Sequence, residues 1–374
     1  MNIAHFIGTF KKGDGVAQVI LALIREAKKH AIESIIVTGY AEDPAMSPVP
    51  VIEIPSIVFP LYKEYKVPLP GMAGFEKQLC KFQPDIIHVH SPDTSAWAAV
   101  KYAKKYKIPI VATHHTDFSR DLSYYHVSFL RPLVWLMLKH LYHHMERITT
   151  PSAVTTQELD KHGIKRLETI PWGVDVDRFN PSFRSDAWRK KILGIKGIDT
   201  PIILCVCRLA WEKDLQTLAD TYQLLRREQK DFTMVVAGDG PARKELENLM
   251  PETIFLGYIG EDELSRAYAS SDIFLFPSSR ETFGNVTIEA MASGIVPVVA
   301  NAGGSRTIVQ NGKTGFLAQP KSAKDFSQKV MMLLKNRALQ ESMKEASLHD
   351  TKKYSWEQVF ENIYAIYDQL LNTT

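Results

Sequence analysis

FLFPSSRETFGNVTIEAMASG, residues 274–294, opens with an apolar run, Phe274–Phe276, crosses a polar turn, Pro277–Thr282, and continues as a helix that begins near Gly284 and stops at Gly294. A strand delivered directly into a glycine-opened helix is a phosphate-approach unit. The first turn of a helix carries unpaired N–H groups and the positive end of the macrodipole, so Phe283, Gly284 and Asn285, with Thr282 before them, offer a seat for a phosphate. Two acids bracket that seat, Glu281 in the turn and Glu289 one turn inside the helix. As an isolated pair they read as solvated surface charge; around a ligand they put a carboxylate on each side of it.

Working outward, 374 residues are long for one core and fit two domains of roughly 180 residues each. A formal net charge of +3 is too mild to demand nucleic acid, and no zinc-finger, basic-zipper or RNP-like pattern is present. Three cysteines, Cys80, Cys205 and Cys207, cannot build a disulfide framework; the latter two alternate within an apolar strand as buried thiols, which points to a reducing cytoplasm. The N-terminal run NIAHFIGTF precedes Lys11 and Lys12, whereas an export signal carries its positive charge before the apolar run.

Asn2–Thr9 reads as the first strand, followed by a glycine loop and a helix with Val19, Ile20, Leu23 and Ile24 on one face. As a dinucleotide fingerprint the loop is weak, because Gln18 stands where a third glycine belongs. Gly15 is open to two readings, a tight turn or a place where backbone approaches a phosphate. Strands follow at Ser34–Thr38, Val51–Ile54, Ile86–His90 and Ile110–His114, with helices over Gly74–Phe82 and Ser95–Tyr106. Alternation of this kind predicts a parallel sheet that binds ligands beyond the carboxyl ends of its strands. His88, His90, His114 and His115 sit at those ends, as a metal site or as substrate contacts.

Phe129–Tyr142, FLRPLVWLMLKHLY, is too short and too interrupted to span a membrane. Two readings stand: a core helix packed on the sheet, or a peripheral membrane contact with its basic end, Lys139–Arg147, on lipid phosphate. PWGVDVDRFNP, Pro171–Pro181, is a linker by its punctuation. The second domain opens at Pro201–Cys207, after which Arg208 and Lys213 can converge on one diphosphate or stay as solvated charge. Phe232–Gly238 with the GDGP turn, and Ile254–Gly260 carrying Tyr258, lie at the same sheet edge. Ser355-x-x-Gln358 caps a last helix striped with Trp356, Val359, Phe360, Ile363, Tyr364, Tyr367 and Leu370.

The strand, acid, FG turn, second acid and EAMASG of 274–294, with Arg208-x-x-x-x-Lys213, HTDFSRDLSYY after the strand Ile110–His114 and the GVDxxxF linker, resemble retaining glycosyltransferases of family four. Pro55–Gly71 narrows the resemblance to the branch with diacylglycerol glucosyltransferases, sulfoquinovosyltransferases and some mannosyltransferases. The resemblance implies a GT-B fold, α/β, with two doubly wound Rossmann-like domains facing an interdomain cleft. Residues 1–180 form the acceptor-side domain, helix 356–371 packs back onto it, and 181–355 bind the nucleotide sugar.

The resemblance also implies roles. Arg208 and Lys213 hold the donor diphosphate, aided by Gly15, Thr282, Phe283, Gly284 and Asn285. Glu289 holds the ribose, Gly238 and Tyr258 lie on the base side, and Glu281 lies by the transferred sugar. His115 lies beneath that sugar, and Asp117, Tyr62 and Tyr124 are acceptor contacts. A hexosyl group would pass from a UDP- or GDP-linked sugar to an acceptor hydroxyl, on a lipid or lipid-linked glycan or else on a soluble sugar or small molecule, with retention and an α-linkage. No metal or cofactor is expected, and Asp175-x-Asp177 serves turns and a hinge. Tyrosines beside Lys63, Lys66 and Arg120 either sit at lipid headgroups or pack a loop and stack on sugar. A cytoplasmic protein at the inner face of an anionic membrane follows. An epimerase, a nicotinamide-dependent oxidoreductase and a non-catalytic nucleotide-binding protein are the rival readings.

Overall fold

The computed structural model describes residues 1–11, 14–59, 62–69, 74–115, 129, 131–228 and 231–372, with backbone alone at 58, 59 and 62–67. The chain divides into two compact units, Met1–Gly173 with Trp356–Thr374, and Val174–Ser355. The division falls inside the punctuated stretch Pro171–Pro181, at Gly173 rather than at residue 180.

The first unit holds strands β1 (Asn2–Ile7), β2 (Glu33–Thr38), β3 (Val51–Glu53), β4 (Ser56–Phe59), β5 (Tyr62–Pro68), β6 (Ile86–Val89), β7 (Ile110–Thr113), β8 (Arg147–Thr150) and β9 (Leu167–Thr169). Seven of them form one sheet in the order β3-β2-β1-β6-β7-β8-β9, and its pairings are parallel. The order reverses between β1 and β6, where a parallel sheet opens a crevice at its carboxyl edge. Fully buried runs such as Ile86–Val89 and Ile110–Thr113 are what a sheet covered on both faces requires. Helix Gly15–Lys29 covers it with Ala17, Ile20, Leu21 and Ile24.

β4 and β5 pair antiparallel as a separate hairpin. The sequence analysis assigned no strands within Pro55–Gly71, where prolines and lysines interrupt the apolar residues. The intervening Ile, Val, Phe and Tyr are nonetheless strand formers.

The second unit holds β10 (Ile202–Val206), β11 (Thr233–Ala237), β12 (Ile254–Gly257), β13 (Ile273–Phe276), β14 (Val296–Ala300) and β15 (Phe316–Ala318), in the order β12-β11-β10-β13-β14-β15, again parallel. Every residue of β10, β11, β13 and β14 is buried. The reversal of order here lies between β10 and β13, the two strands that lead into Arg208 and into the 277–285 turn.

Helix Trp356–Asn372 belongs to the first unit and buries Val359, Phe360, Ile363, Ile366 and Tyr367. Phe360 stacks on His30 at 5.1 Å, and the Tyr367 hydroxyl meets His88 Nδ1 at 2.6 Å. At its start the Trp356 ring lies so close to Gly173 that a Cβ there would come within 2.6 Å of it.

Candidate functional site

In the second unit the site grows from the carboxyl ends of β10 and β13. Helix Asn285–Ala292 is preceded by Gly284 at φ 108°, a left-handed conformation where a Cβ would also sit 2.5 Å from Ser305 Oγ. No side chain caps this end, and the intrahelical bonds begin at Thr287 N–H to Gly284 O, leaving the Asn285 and Val286 amides without an intrahelical acceptor. Asn285 Oδ1 is buried without a hydrogen-bond partner. At the other end Gly294 N–H donates to Met291 O and Ile295 N–H to Ala290 O, the paired bonds of a Schellman stop. The polar turn is held from below by the Gly303–Gly304 loop: Gly304 N–H donates to Glu281 O at 2.6 Å, and a Cβ on Gly304 would lie 2.3 Å from Phe283 backbone. Thr282 is half-buried in that turn and Phe283 is buried.

Across the order reversal, Lys213 closes a short 3-10 turn, Trp211–Lys213, and its Nζ lies 2.7 Å from Glu281 Oε1. Ser278 Oγ donates to the same oxygen at 2.7 Å. The neighbouring Asp214 Oδ2 accepts from Ser279 N–H and Oγ at 2.9 and 2.6 Å, so consecutive residues tie the β10 turn to the β13 turn. Burial, the largest single influence on Lys213, pulls its ammonium down, but the charge and hydrogen bond of Glu281 together outweigh it and the net shift is upward. Arg208 is 66% exposed and ion-paired with Glu212. Both cations are thus paired with carboxylates, Lys213 with Glu281 and Arg208 with Glu212.

Glu289 Oε2 accepts from the hydroxyl of fully buried Tyr268 at 3.0 Å. Desolvation raises the Glu289 carboxyl above the usual carboxylate range, against the opposing pull of that hydroxyl and of the Arg178 charge. Gly238 turns at φ 130° with its Cα against Cys207, whose carbonyl a Cβ would meet at 1.9 Å, so this glycine clasps the end of β10. Tyr258 follows β12 and is 78% exposed. Asp175 Oδ1 accepts from Arg178 N–H, a local turn bond.

In the first unit, Asp14 caps helix Gly15–Lys29 by accepting from Val16 and Ala17 N–H. Gly15 does not have positive φ, and a Cβ on it would meet no atom within 4 Å. The tight-turn reading therefore does not account for Gly15; what the glycine leaves is room in front of a helix N-terminus.

His115 follows β7 and is buried, its ring tilted over Trp172 at 5.1 Å. His115 Nε2 meets His90 Nδ1 at 3.0 Å, and His90 Nε2 meets His5 Nδ1 at 3.0 Å. Burial pushes His5 and His115 down to about 3, and burial followed by neighbouring imidazoles pushes His88 and His90 well below the ordinary value, so all four rings are neutral near pH 7. His114 turns away to the Tyr142 hydroxyl at 2.8 Å.

Ligand atoms of His5, His88 and His90 lie within 4.8 Å of one another, the spacing of a metal-capable group. His88 already spends both nitrogens on Tyr367 and Thr113, and His90 spends both on His5 and His115, so a cation there would have to break those bonds. Asp117 and Tyr124 lie outside the described residues, and Tyr62 is described only as backbone of β5.

Sequence reasoning missed His5, Tyr268 and Asp214. A histidine at an inward position of the apolar run NIAHFI was a usable signal for His5. Tyr268 and Asp214 gave none, because each reaches its partner across tens of residues of chain.

Family models described as "Glycosyltransferase Family 4" and "Glycosyl transferases group 1" match residues 13–178 and 189–350. The chain is 35% identical over 306 residues to the sulfoquinovosyl transferase SQD2 of Arabidopsis thaliana, covering 79% of this chain and 59% of the plant protein's length. It is 31% identical to a GDP-mannose-dependent alpha-mannosyltransferase of Corynebacterium glutamicum, covering 81% of this chain and 73% of that one. It is 27% identical to an alpha-monoglucosyldiacylglycerol synthase of Streptococcus pneumoniae, covering 80% and 71%. Among solved structures, Anabaena Alr3699/HepE in complex with UDP superposes with a TM-score of 0.81 at 17% identity over 99% of this chain and 100% of that one.

Proposed function

The chain belongs to glycosyltransferase family 4, with two Rossmann-like domains of the GT-B class, and on that premise we propose that it moves a hexosyl group from a nucleoside-diphosphate sugar to an acceptor hydroxyl. The observation that carries this reading is the meeting of Lys213 with Glu281 at 2.7 Å beside an uncapped helix start, at the point where strand order reverses. A diphosphate seated there gains Arg208 by forked hydrogen bonds, Lys213 as a point charge, and the amides of Gly284 and Asn285. These groups stabilise the negative charge that develops on the leaving diphosphate, which is the work a metal does elsewhere. Gly15 brings a further helix N-terminus to the phosphates.

Glu289 accepts from the ribose hydroxyls while Tyr268 holds its other oxygen. Thr282 and Phe283 shape the turn around the donor, Gly238 and Tyr258 border the base, and Glu281 contacts the transferred sugar once Lys213 turns to phosphate. His115 lies under that sugar, with Asp117, Tyr62 and Tyr124 toward the acceptor. We favour retention by same-face displacement: the bond from the anomeric carbon to the diphosphate breaks as the acceptor oxygen bonds on the same face, and the acceptor proton passes to the leaving phosphate oxygen. An α-linked donor then gives an α-linked product.

The acceptor we propose is a lipid or lipid-linked glycan. Helix Arg131–Tyr142 buries Leu138, Leu141 and Tyr142 on one side and exposes Leu133, Leu136 and Met137 on the other, with Phe129 exposed just before it. Arg131, Lys139 and His140 are exposed on the same helix, a combination suited to lying on the inner, anionic surface of a membrane. The core and membrane readings of this helix are compatible, because each uses a different face. Among the described residues no helix is long and apolar enough to cross a membrane. One experiment tests the function: calorimetric titration of UDP-, GDP- and ADP-sugars, then acceptor trials with diacylglycerol and simple glycosides. One nucleotide sugar should bind and be consumed only with acceptor present. Failure of all three to bind refutes the proposal.

A further inference from the structure

Four buried histidines, His5, His88, His90 and His115, are more than a donor site in the other unit requires, and their bonding is asymmetric. We propose that His115 presents an Nδ1–H donor to a substrate oxygen, and that His90 and His5 act as positioning residues which fix this tautomer through a column of ring-to-ring hydrogen bonds. The inference rests on the reading of His115 as a residue beneath the transferred sugar.

A neutral imidazole has one N–H and one lone pair, so three rings in series can align in only two ways. In one, His115 donates to His90 and His90 to His5, which leaves an N–H on His5 Nε2. In the other, His5 Nδ1–H donates to His90 Nε2, His90 Nδ1–H donates to His115 Nε2, and the proton left over stands on His115 Nδ1. His5 Nε2 and His115 Nδ1 are both buried and without a partner, so the column has an unsatisfied atom at each end.

The ends differ in position. His5 is in the middle of β1, paired in register with His88 under the sheet cover, and 1% exposed. A proton stranded there has no acceptor, and an orphaned N–H is rarer and costlier than an unused lone pair. His115 lies beyond the carboxyl end of β7, on the edge where parallel sheets receive ligands. The second alignment therefore wins: the unused lone pair stays in mid-sheet, and the N–H stands at the sheet's carboxyl edge, where a substrate hydroxyl or phosphate oxygen that reaches it can accept it. His88 steadies the column from the side. Its ring lies 4.0 Å from that of His90, tilted by 35°, and is anchored by the Tyr367 hydroxyl and by Thr113, itself bonded to Thr149. Burial keeps every ring uncharged, so the column orients a donor and does not release an acid.

The test reads ring nitrogens directly by two-bond proton–nitrogen correlation on full-length protein labelled at histidine, with signals assigned from His5→Phe, His90→Phe and His115→Phe variants. The wild type should show His115 protonated at Nδ1 and bare at Nε2. His90→Phe keeps ring volume but removes the donor, so His115 should lose that preference and transfer should fall about threefold to tenfold in kcat, the value of one neutral hydrogen bond, with donor KM unchanged. His90→Asn, whose amide reaches the Nδ1 position, should restore both. An Nε2-protonated His115 in the wild type, or a His115 tautomer indifferent to His90→Phe, overturns the proposal. Because the spectrum needs no turnover, a chain that glycosylates no acceptor yet holds His115 as Nδ1–H refutes the functional reading and leaves the column supported.

Discussion

Acidification from about pH 7.5 to about pH 5.5 should destabilise the first unit selectively. Of twelve histidines in the chain, only His349 lies in the second unit, whereas His5, His88, His90 and His115 are buried together in the first. Their folded pKa values are depressed, to about 3 for His5 and His115 and well below the ordinary value for His88 and His90. A histidine in the unfolded chain titrates near about 6.5. Below that value the unfolded state takes up protons that the native state refuses. Stability is thus fully present above about 6.5 and is lost as pH falls through the window from there down to about 3. At about pH 5.5 each ring contributes a loss on the order of 1 kcal/mol, and the four together several kcal/mol.

That is a large part of an ordinary domain's stability and corresponds to a midpoint lower by about 10–20 °C for a unit of this size. Two units need not unfold in one transition, so the assay is scanning calorimetry at both pH values, with each transition assigned by hydrogen exchange of peptides from β6 and β7 and from β10 and β13. The first unit's transition should move down and the second unit's should hold much closer to its original temperature. Equal midpoints for the first unit at both pH values would refute the claim that its buried imidazoles stay neutral.

Arg208→Ala and Lys213→Ala should each weaken binding of the preferred nucleotide sugar by roughly tenfold to a hundredfold, as expected for a lost charge-assisted hydrogen bond; unchanged calorimetric titrations in both would remove the diphosphate assignment. Gly238→Ala drives a Cβ into the Cys207 carbonyl and should destabilise by about 3 kcal/mol or more in urea, whereas Gly15→Ala meets open space and should leave stability within about 0.5 kcal/mol while weakening donor binding. A variant carrying Leu136→Ser and Met137→Ser removes exposed apolar surface and should reduce co-sedimentation with vesicles of anionic phospholipid at low salt, with the melting temperature unchanged. Equal sedimentation of variant and wild type refutes the role of that helix face.

Residues 274–294 were legible because their chemistry is local. Apolar strand, glycine start and glycine stop are properties of consecutive residues, and the helix Asn285–Ala292 with its Gly294 stop follows from them. The alternation of strands and helices likewise implied parallel sheets, and the carboxyl-edge rule directed attention to Arg208, Lys213 and the histidines. The hairpin β4–β5 was hidden because strand pairing depends on a partner whose register the local pattern does not state.

What only the tertiary structure decided is which groups meet. Lys213 pairs with Glu281 and Asp214 with Ser279 because β10 and β13, far apart in sequence, are neighbours in the sheet. Tyr268 reaches Glu289, and His5, on the first strand, completes a column with His90 and His115 because β1, β6 and β7 lie side by side. By itself the sequence determined the elements and the residue types at their ends, since these depend on short-range periodicity and turn chemistry. Protonation states and hydrogen-bond partners depend on burial and on strand order, which exist only once the sheets have formed.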